Sequence, residues 1–253
     1  MDATFDFRLI ELVGPLGQQV QAVWSASVSI HSEPVTKPLF SDGASGAFII
    51  LKGEVMYHDQ SYKQGVHWIP VKKQAQFITM SAGVEMVGFR FHPAKNKDHY
   101  PIFHDDFGYV EELQNTHSDK GLFAILLNTP QPERLTLLCE WLEHNIKSDI
   151  SSNALLSFIG HIDHKAELQS IEKHIPLSLR QIERQFKSQV GFTPKYYQRL
   201  MRIRQAIHLI REYPTRNLVD LATQAGFSDQ AHMNREFRKL AGMTPKEYQV
   251  SKQ

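Results

Sequence analysis

Two short stretches near the C-terminus hold clusters of side chains that can form paired hydrogen bonds with a planar partner. Arginine presents parallel N–H donors that fit guanine O6 and N7, and glutamine or asparagine fits adenine N6 and N7. If the stretches are helices, they predict contact with the base edges of double-stranded DNA; the alternative is a solvated helix face with ion pairs. The candidate residues are Arg180, Gln181, Arg184 and Lys187 in the first stretch, and Gln230, His232, Asn234, Arg235 and Arg238 in the second.

Neighbouring residues suggest how such a surface would be completed. Arg180 and Arg184 are four residues apart and would share one helix face. Glu183 lies between them, where its carboxylate is able to accept a hydrogen bond from cytosine N4 or to hold Arg180 or Lys187 in place. Phosphate contacts, which position a protein without specifying sequence, are expected from Lys195, Arg238 and Lys246. The aromatic residues expected in the core are Phe186, Phe237, Tyr197 and Tyr248.

An internal repeat relates the two stretches. A shift of 51 residues superimposes residues of the same kind along the whole region, in an alignment too dense for chance. Such a duplication predicts two copies of one structural unit. The matching pairs are Ile182 with Met233, Arg184 with Arg235, Phe186 with Phe237, Lys187 with Arg238, Gly191 with Gly242, Thr193 with Thr244, Pro194 with Pro245, Lys195 with Lys246 and Tyr197 with Tyr248.

Each copy contains the parts of a helix-turn-helix, namely a short helix, a tight turn and a second helix with one apolar stripe. Ser178 in one copy, and Ser228 or Asp229 in the other, can cap the second helix. Gly226 accepts positive φ at its turn, whereas Ile175 does not, so the first turn must be built differently. The expected ranges are Lys165–Lys173, His174–Leu177 and Leu179–Val190 in the first copy, and Leu218–Ala225, Gly226–Ser228 and Gln230–Ala241 in the second.

The residues between the copies predict one long helix. Gly191 and Gly242 suit a left-handed end to the second helices, and the Thr-Pro pairs that follow suit a helix start. The helix Pro194–Glu212 has 19 residues and would be a rod of about 28 Å. One turn of B-DNA is ~34 Å. The rod could therefore place two recognition helices in successive major grooves, with a modest DNA bend or unequal insertion.

The segment Leu218–Tyr248 closely resembles the signature of the AraC/XylS family of transcription regulators. The resemblance implies that both units bind DNA, and that an N-terminal domain commonly senses a small-molecule effector or forms a homodimer. RNA polymerase is an implied partner of any member that activates transcription. The N-terminal segments Leu39–Gly43 and Gly88–Pro93 loosely resemble a cupin-type sensor domain. The diagnostic residues are Leu221-Ala222, Gly226-Phe227-Ser228, Phe237-Arg238-Lys239, Gly242-Met243-Thr244-Pro245 and Tyr248.

Charge is distributed unevenly along the 253 residues, although the net charge is only +1. From Asn153 onward, 16 Lys and Arg oppose nine Asp and Glu, a net charge of +7, and the remainder carries −6. This asymmetry indicates that only the C-terminal part faces a polyanion.

The single cysteine, Cys139, excludes an internal disulfide. With no signal peptide and no membrane span in the sequence, we expect a cytoplasmic protein.

The N-terminal part predicts strands from about Arg8 to His92. Their spacing favours a small antiparallel sandwich or barrel, with a hairpin turn at Gly53. The expected fold class is α+β: an antiparallel β-sandwich or cupin-like domain with helices, then an all-α domain of two helix-turn-helix units. The expected domains are 1–130 for sensing or dimerisation, 131–152 for an amphipathic helix and linker, and 153–253 for DNA binding. The predicted strand segments are Val20–Ile30, Ala47–Tyr57, Gly65–Val71, Gln76–Ser81 and Val84–Phe91.

The predicted helix Pro132–Lys147 carries a stripe of Leu135, Leu138 and Leu142. Such a stripe can pair across two chains or pack within one. Both readings, a homodimer contact and a monomer core, remain open from the sequence.

Aromatic residues of the N-terminal part could line an effector cavity or pack the sandwich core; these are Trp24, Tyr57, Trp68 and Phe89. No metal site or cofactor is expected, because the histidines lack closely spaced pairs backed by carboxylates. The histidines considered are His58, His67, His92, His99, His104 and His117.

Two other classes of protein stay open as alternatives. A cupin-like enzyme with a DNA-targeting module would need metal ligands in the barrel, and no phosphate loop or nucleophile elbow supports an enzyme. An interaction protein would use its helical half to bind another protein. A binding constant that falls steeply with salt concentration would distinguish DNA binding from binding of a protein partner.

Overall fold

A computed structural model of the chain describes residues 4–93, 95, 121–146, 154–165 and 176–252. The chain divides into two compact units. The first comprises Met1–Lys37, Ala44–Pro70 and Phe77–Ile150, and the second comprises Pro38–Gly43, Val71–Gln76 and Ser151–Gln253. The first holds most of the strands and the second most of the described helices, so the predicted α+β class is confirmed.

The strands form a five-stranded sheet and a four-stranded sheet. The larger sheet has the order β1-β2-β9-β4-β7 and the smaller one has the order β3-β8-β5-β6. Neighbours in the larger sheet pair antiparallel, as do β5 with β6 and β8. The strands are β1 (Phe5–Glu11), β2 (Val20–Val28), β3 (Val35–Leu39), β4 (Gly46–Lys52), β5 (Val55–Tyr57), β6 (Gln60–Tyr62), β7 (Gly65–Ile69), β8 (Gln76–Met80) and β9 (Glu85–Phe91).

The predicted hairpin at Gly53 is wrong. Gly53 has φ of +81°, as a tight turn requires, but β4 and β5 belong to different sheets. The reason is that β4 lies between β7 and β9 and has no free edge for β5. The turn therefore carries the chain from one layer to the other.

The larger sheet is apolar on both faces, which explains the continuous apolar run in β4. Ile49 packs in a cluster with leucines of the helices that cover one face. Phe48 and Ile50 pack in a second cluster with Ile78 and Met80 of the smaller sheet. The helices of this unit are α1 (Gly14–Gly17), α2 (Leu122–Asn128), a 3-10 turn (Gln131–Glu133) and α3 (Arg134–Asn145).

The leucine stripe of α3 packs within its own chain. Leu138 and Leu142 are completely buried, and Leu135 is nearly so; all three belong to the cluster that covers the larger sheet. Of the two readings of this stripe, the structure therefore shows the monomer core and not the contact between chains, because the leucines are already covered. The predicted end of the helix, Lys147, lies outside the described residues.

The helical unit matches the predicted ranges closely wherever it is described. The rod Pro194–Glu212 has its predicted 19 residues. It packs against the helices Leu179–Val190, Leu218–Gln224, Gln230–Ala241 and Pro245–Val250. Most of the predicted first helix and turn, 166–175, lies outside the described residues. No helix in the described part combines the length and apolar composition that a bilayer crossing requires. The helices are α4 (Ala154–His161), α5 (Leu179–Val190), α6 (Pro194–Glu212), α7 (Leu218–Gln224), α8 (Gln230–Ala241) and α9 (Pro245–Val250).

Candidate nucleic-acid interface

The two predicted recognition helices, α5 and α8, begin with side-chain caps at equivalent positions. Ser178 Oγ accepts a hydrogen bond from the Gln181 backbone N–H at 3.4 Å, and Asp229 Oδ1 accepts one from the His232 backbone N–H at 2.6 Å. Each bond satisfies a backbone donor that has no partner inside the helix. The bond from His232, with a smaller contribution from the Ser228 hydroxyl, holds the pKa of Asp229 below its ordinary value.

Both helices bury one narrow stripe and leave the opposite face in solvent. Ile182 and Phe186 of α5 are completely buried. Met233 and Phe237 occupy the same places in α8 and are also completely buried. Because buried positions recur every three or four residues, the residues between them point away from the core. The repeat therefore fixes which side of each helix is presented.

The exposed side of α5 is cationic. Arg180, Arg184 and Lys187 are all exposed, and Glu183 lies among them. A concavity of about 520 Å³ follows this side of the helix, with the lining residues Ser178, Arg180, Gln181, Glu183, Arg184, Lys187 and Thr193. The structure thus brings the candidates of the first stretch together on one open surface.

Gln181 has a structural role that base contact alone does not account for. Its Oε1 accepts a hydrogen bond from the Ser178 backbone N–H at 2.9 Å and lies 2.9 Å from the Ser178 hydroxyl oxygen. Together with the cap from Ser178 this completes a capping box. The Gln181 amide oxygen is therefore occupied, and its NH₂ group is the part left for another partner.

The exposed side of α8 carries Asn234, Arg235, Arg238 and Lys239, whereas Gln230 and His232 are half-buried. Lys239 was not among the predicted residues, although it is adjacent to Arg238 and equally exposed. This side is therefore cationic as well, with an amide in the place that a carboxylate takes in α5.

His232 is held against its own turn. Its ring meets the ring of Phe227 edge-on, with centroids 5.4 Å apart. Its Nδ1 lies 3.1 Å from the hydroxyl oxygen of Ser228. These contacts fix the orientation of the imidazole and leave Nε2 as the nitrogen available to a ligand.

The arginines of the helical unit fall into two groups. Arg202 on α6 donates to the His164 carbonyl at 3.0 Å, and Arg211 donates to the Tyr248 hydroxyl at 2.6 Å. Arg184 and Arg235, by contrast, form no salt bridge with any residue in the part of the chain that the structure describes. Arg202 and Arg211 thus hold the helical unit together, while Arg184 and Arg235 face solvent.

One ion pair ties the second recognition helix to the long helix. Arg199 donates to both carboxylate oxygens of Glu236, at 2.5 and 2.9 Å. Burial favours the neutral form of Glu236, but the hydrogen bonds and charge of Arg199 outweigh it and leave the pKa of this carboxyl below its ordinary value. Neither residue was singled out from the sequence, because they lie 37 positions apart.

The C-terminal ends of the two recognition helices are also alike. Gly191 and Gly242 have φ of +84° and +74°, the left-handed conformation that was predicted. Thr193 and Thr244 then cap the next helices. Lys195 and Lys246, predicted to contact phosphate, come next and are exposed. Lys187 and Arg238, in the last turns of α5 and α8, are exposed as well.

The aromatic residues that were predicted to lie in the core are all buried; they are Phe186, Phe237, Tyr197 and Tyr248.

The four aromatic residues considered for an effector cavity do not meet in one place. Trp24 and Tyr57 belong to the cluster between the two sheets. Trp68 and Phe89 belong to the cluster under α2 and α3. The reason is the pleat of β9, because Gly88 faces Trp24 and the next residue must point to the opposite face. Tyr62 and His67 surround Phe48 together with Tyr57. Tyr62 was not predicted from the sequence, and His67 was considered there only as a metal ligand.

The histidines considered as metal ligands are separately engaged. His67 Nε2 lies 2.7 Å from the Lys63 carbonyl oxygen, and His92 Nε2 lies 2.7 Å from that of Gly17. Within the described residues, no three His, Cys, Asp or Glu side chains come together as a metal site would need. His99, His104 and His117 lie outside those residues.

Comparison with known proteins places the helical region in a recognised group. Residues 172–251 match a protein family described as helix-turn-helix domain. The chain is 31% identical over 138 residues to the HTH-type transcriptional activator RhaS of Escherichia coli (strain SE11), an overlap of 54% of this chain and 47% of the relative. The chain thus spans about half the length of the curated relatives it matches.

Among solved structures, one of ToxT from Vibrio cholerae O395 bound to (E)-4-(8-methylnaphthalen-1-yl)but-3-enoic acid aligns with a TM-score of 0.50 at 12% identity. The alignment covers 99% of this chain and 100% of that chain. At this identity the likeness shows a common fold, in which a sheet domain precedes a helical domain. The C-terminal helices of this chain, with their duplicated caps, glycine ends and cationic faces, thus match a helix-turn-helix domain family and resemble part of a transcriptional activator.

Proposed function

We propose that this protein is a sequence-specific transcription regulator that reads two successive major grooves of bacterial DNA with α5 and α8. The observation that carries the proposal is the pair of equivalent helices, 51 residues apart, that expose cationic faces with Arg184 and Arg235 at the same position. Arginine forks that are not consumed by internal ion pairs are the commonest base-reading groups in DNA complexes.

The length of α6 supports the two-groove reading. Its 19 residues correspond to a rod of about 28 Å, somewhat shorter than the ~34 Å turn of B-DNA. The difference is small enough for a modest bend of the duplex to absorb. We therefore propose that bound DNA bends towards the protein.

The side chains are proposed to divide into two roles. The residues proposed to read base edges are all exposed; they are Arg180, Arg184, Asn234 and Arg235. Residues at the margins hold phosphate oxygens and set the register. The residues proposed to contact phosphate are Lys187, Lys195, Arg238 and Lys246. Further contacts with base edges are proposed for Gln181, Gln230 and His232.

The N-terminal unit is proposed to regulate the DNA-binding unit by binding a small-molecule effector or by forming a homodimer. RNA polymerase is a proposed partner because the matched relative bears the name of a transcriptional activator. The proposal includes no catalytic role, cofactor or metal. It places the protein in the cytoplasm, where promoter DNA is accessible.

Binding of the full chain to its own promoter region tests the proposal. We expect Arg184→Ala and Arg235→Ala each to weaken specific binding by about 1–3 kcal/mol. The matched control is Arg204→Ala, which removes the same charge from an exposed position on α6. Wild-type affinity in both folded recognition-helix variants, or an equal loss in the control, would contradict the assignment.

A further inference from the structure

Among the residues that the structure describes, nothing pairs with the outer edge of the first strand of the larger sheet, and this edge is apolar. β1 is the outermost strand, and its only partner among the described residues is β2. Phe7, Leu9 and Ile10 are 51%, 50% and 44% exposed. A free edge with unpaired backbone groups and apolar side chains is a template for pairing with another chain.

The direction of the backbone groups on β1 follows from its bonds to β2. The Thr4 carbonyl accepts a hydrogen bond from the Ser29 N–H, and the Leu12 N–H donates one to the Gln21 carbonyl. Since backbone direction alternates along a strand, even-numbered residues of β1 face β2. The N–H and C=O groups of Phe5, Phe7 and Leu9 therefore point outward from the sheet edge.

The same alternation puts three apolar side chains in one row. Phe5, Phe7 and Leu9 lie opposite Val28, Ala26 and Trp24, on the face that packs against the smaller sheet. The rings of Phe5 and Phe7 have centroids 6.4 Å apart, and Phe7 lies 6.2 Å from Trp24. The row therefore continues the buried cluster between the sheets out to solvent.

We propose that β1 pairs antiparallel with β1 of a second copy of this chain, about a two-fold axis at Phe7. In this register the outward N–H and C=O groups of Phe7 bond to those of the partner's Phe7. Phe5 faces the partner's Leu9 on the apolar face. Asp6 faces the partner's Arg8, and Arg8 faces the partner's Asp6, so that two opposite-charge pairs form.

Other registers fit less well. An axis at Asp6 or at Arg8 places two like charges directly opposite each other, which is destabilising. An axis between two residues sets outward-pointing backbone groups against inward-pointing ones, so the ladder of hydrogen bonds cannot form. Axes at Phe5 or at Leu9 keep the ladder but leave Asp6 and Arg8 without opposite charges on the partner's β1. Only the register centred on Phe7 both keeps the ladder and sets Asp6 against Arg8.

The rearrangement that pairing requires is small. Arg8 Nε lies 3.2 Å from Asp6 Oδ2 of the same strand, and the two side chains are 62% and 44% exposed. An exposed pair of this kind contributes little to stability, so the two charges can exchange it for partners across the axis. The joined edges would make one continuous sheet of ten strands from two five-stranded sheets.

Charge reversal on β1 tests the interface in the full chain without DNA, so that its result is separate from the test of DNA binding. Sedimentation equilibrium at low salt is expected to show dimers of the wild type. Asp6→Arg places arginines opposite arginines, and Arg8→Asp places aspartates opposite aspartates. Each variant alone should dimerise about tenfold more weakly or worse. An equimolar mixture of the two variants should recover wild-type association, because a strand with two arginines then faces a strand with two aspartates.

Lys63→Glu is the control, because it reverses an exposed charge on the same unit away from β1 and should leave association unchanged. Circular dichroism of each variant checks that it is folded. We expect folding to be retained, because the side chains of Asp6 and Arg8 are not buried. A wild type that stays monomeric at all concentrations would overturn the proposal. So would folded single variants that dimerise like the wild type, or a mixture that does not recover.

Discussion

The two recognition helices share a frame, made of their caps, their left-handed ends and their buried apolar stripes. They differ in the side chains that they expose to solvent. Ser178 and Asp229 cap them, and Gly191 and Gly242 end them in the same left-handed conformation. On the exposed side, however, Arg180 of α5 corresponds to an alanine in α8. The two copies therefore share the residues that orient each helix and the arginines Arg184 and Arg235, whereas other exposed positions differ. The proposal that the two units read different base pairs predicts such differences.

A second difference concerns how firmly each helix is attached. Glu236 of α8 receives two hydrogen bonds from Arg199, whereas the equivalent residue of α5 is Gln185, which cannot form an ion pair. The apolar stripes are alike in depth, since Phe186 and Phe237 are both completely buried. The polar tie on α8 is thus an addition to a common core.

The largest expected effect tests whether the two cores are equivalent. Phe186→Ala and Phe237→Ala should each lower the free energy of unfolding by about 3–5 kcal/mol, because each removes a fully buried ring and leaves a cavity. Chemical denaturation of the full chain measures this loss. Val219→Ala, at a position that is 49% exposed, is the control and should change little. A large loss in only one of the two phenylalanine variants would show that the repeats do not share one frame.

The next effect separates what the two helices read. Arg184→Ala should make binding indifferent to base changes in one half of the DNA site, and Arg235→Ala should do so in the other half. Each loss of discrimination should be about 1–3 kcal/mol per base pair, the worth of a bidentate arginine contact. Affinity measured on a series of single base-pair changes checks this. If both variants relax the same base pairs, the two-groove arrangement is incorrect.

The frame could be predicted from sequence because its determinants are local. Caps, glycine ends and apolar spacing lie within a few residues of the helix they define, so α5, α6 and α8 begin and end where expected. The Ser178-x-x-Gln181 spacing was also a local signal for the capping box, and it would have indicated that Gln181 is partly occupied. The tie between Arg199 and Glu236 joins distant positions and has no such signal.

The sheets were predicted less well for the same reason. Strand segments are visible in the sequence, but which strands pair depends on contacts between distant residues. Gly53 was recognised as a turn, yet only the position of β4 between two other strands shows that the turn leaves the sheet. Similarly, Trp24 and Phe89 look alike in the sequence, while the pleat separates them onto opposite faces.

A smaller effect is expected from the ion pair that attaches α8, but not α5, to the long helix α6. Glu236→Gln should lower the free energy of unfolding by about 1–2 kcal/mol at neutral pH, because it replaces charge-assisted hydrogen bonds to Arg199. The matched control is Glu183→Gln, an exposed position on α5. Thermal or chemical unfolding of both variants measures the difference. Equal stability of the two variants would mean that the tie contributes nothing to α8.

The pH dependence of that difference has a definite sign. The folded state lowers the pKa of Glu236 below its ordinary value of 4.5. A carboxyl with a lowered folded pKa contributes stability that is fully present above the unfolded pKa and is lost as pH falls through the folded one. The gap between wild type and Glu236→Gln should therefore narrow as pH falls below about 4.5. A gap that widens on acidification would contradict the assigned direction.

The smallest expected effect concerns Lys187 and Arg238, which the repeat places at equivalent positions near the ends of α5 and α8. If both contact phosphate, each alanine variant should weaken binding to all DNA sequences alike and reduce the slope of log K against log salt by about 1. Arg204→Ala should leave the slope unchanged. A wild-type slope near zero would instead favour a protein partner for the helical unit, because counterion release accompanies only binding to a polyanion. A change in slope for one helix alone would mean that the two units sit at different depths in their grooves.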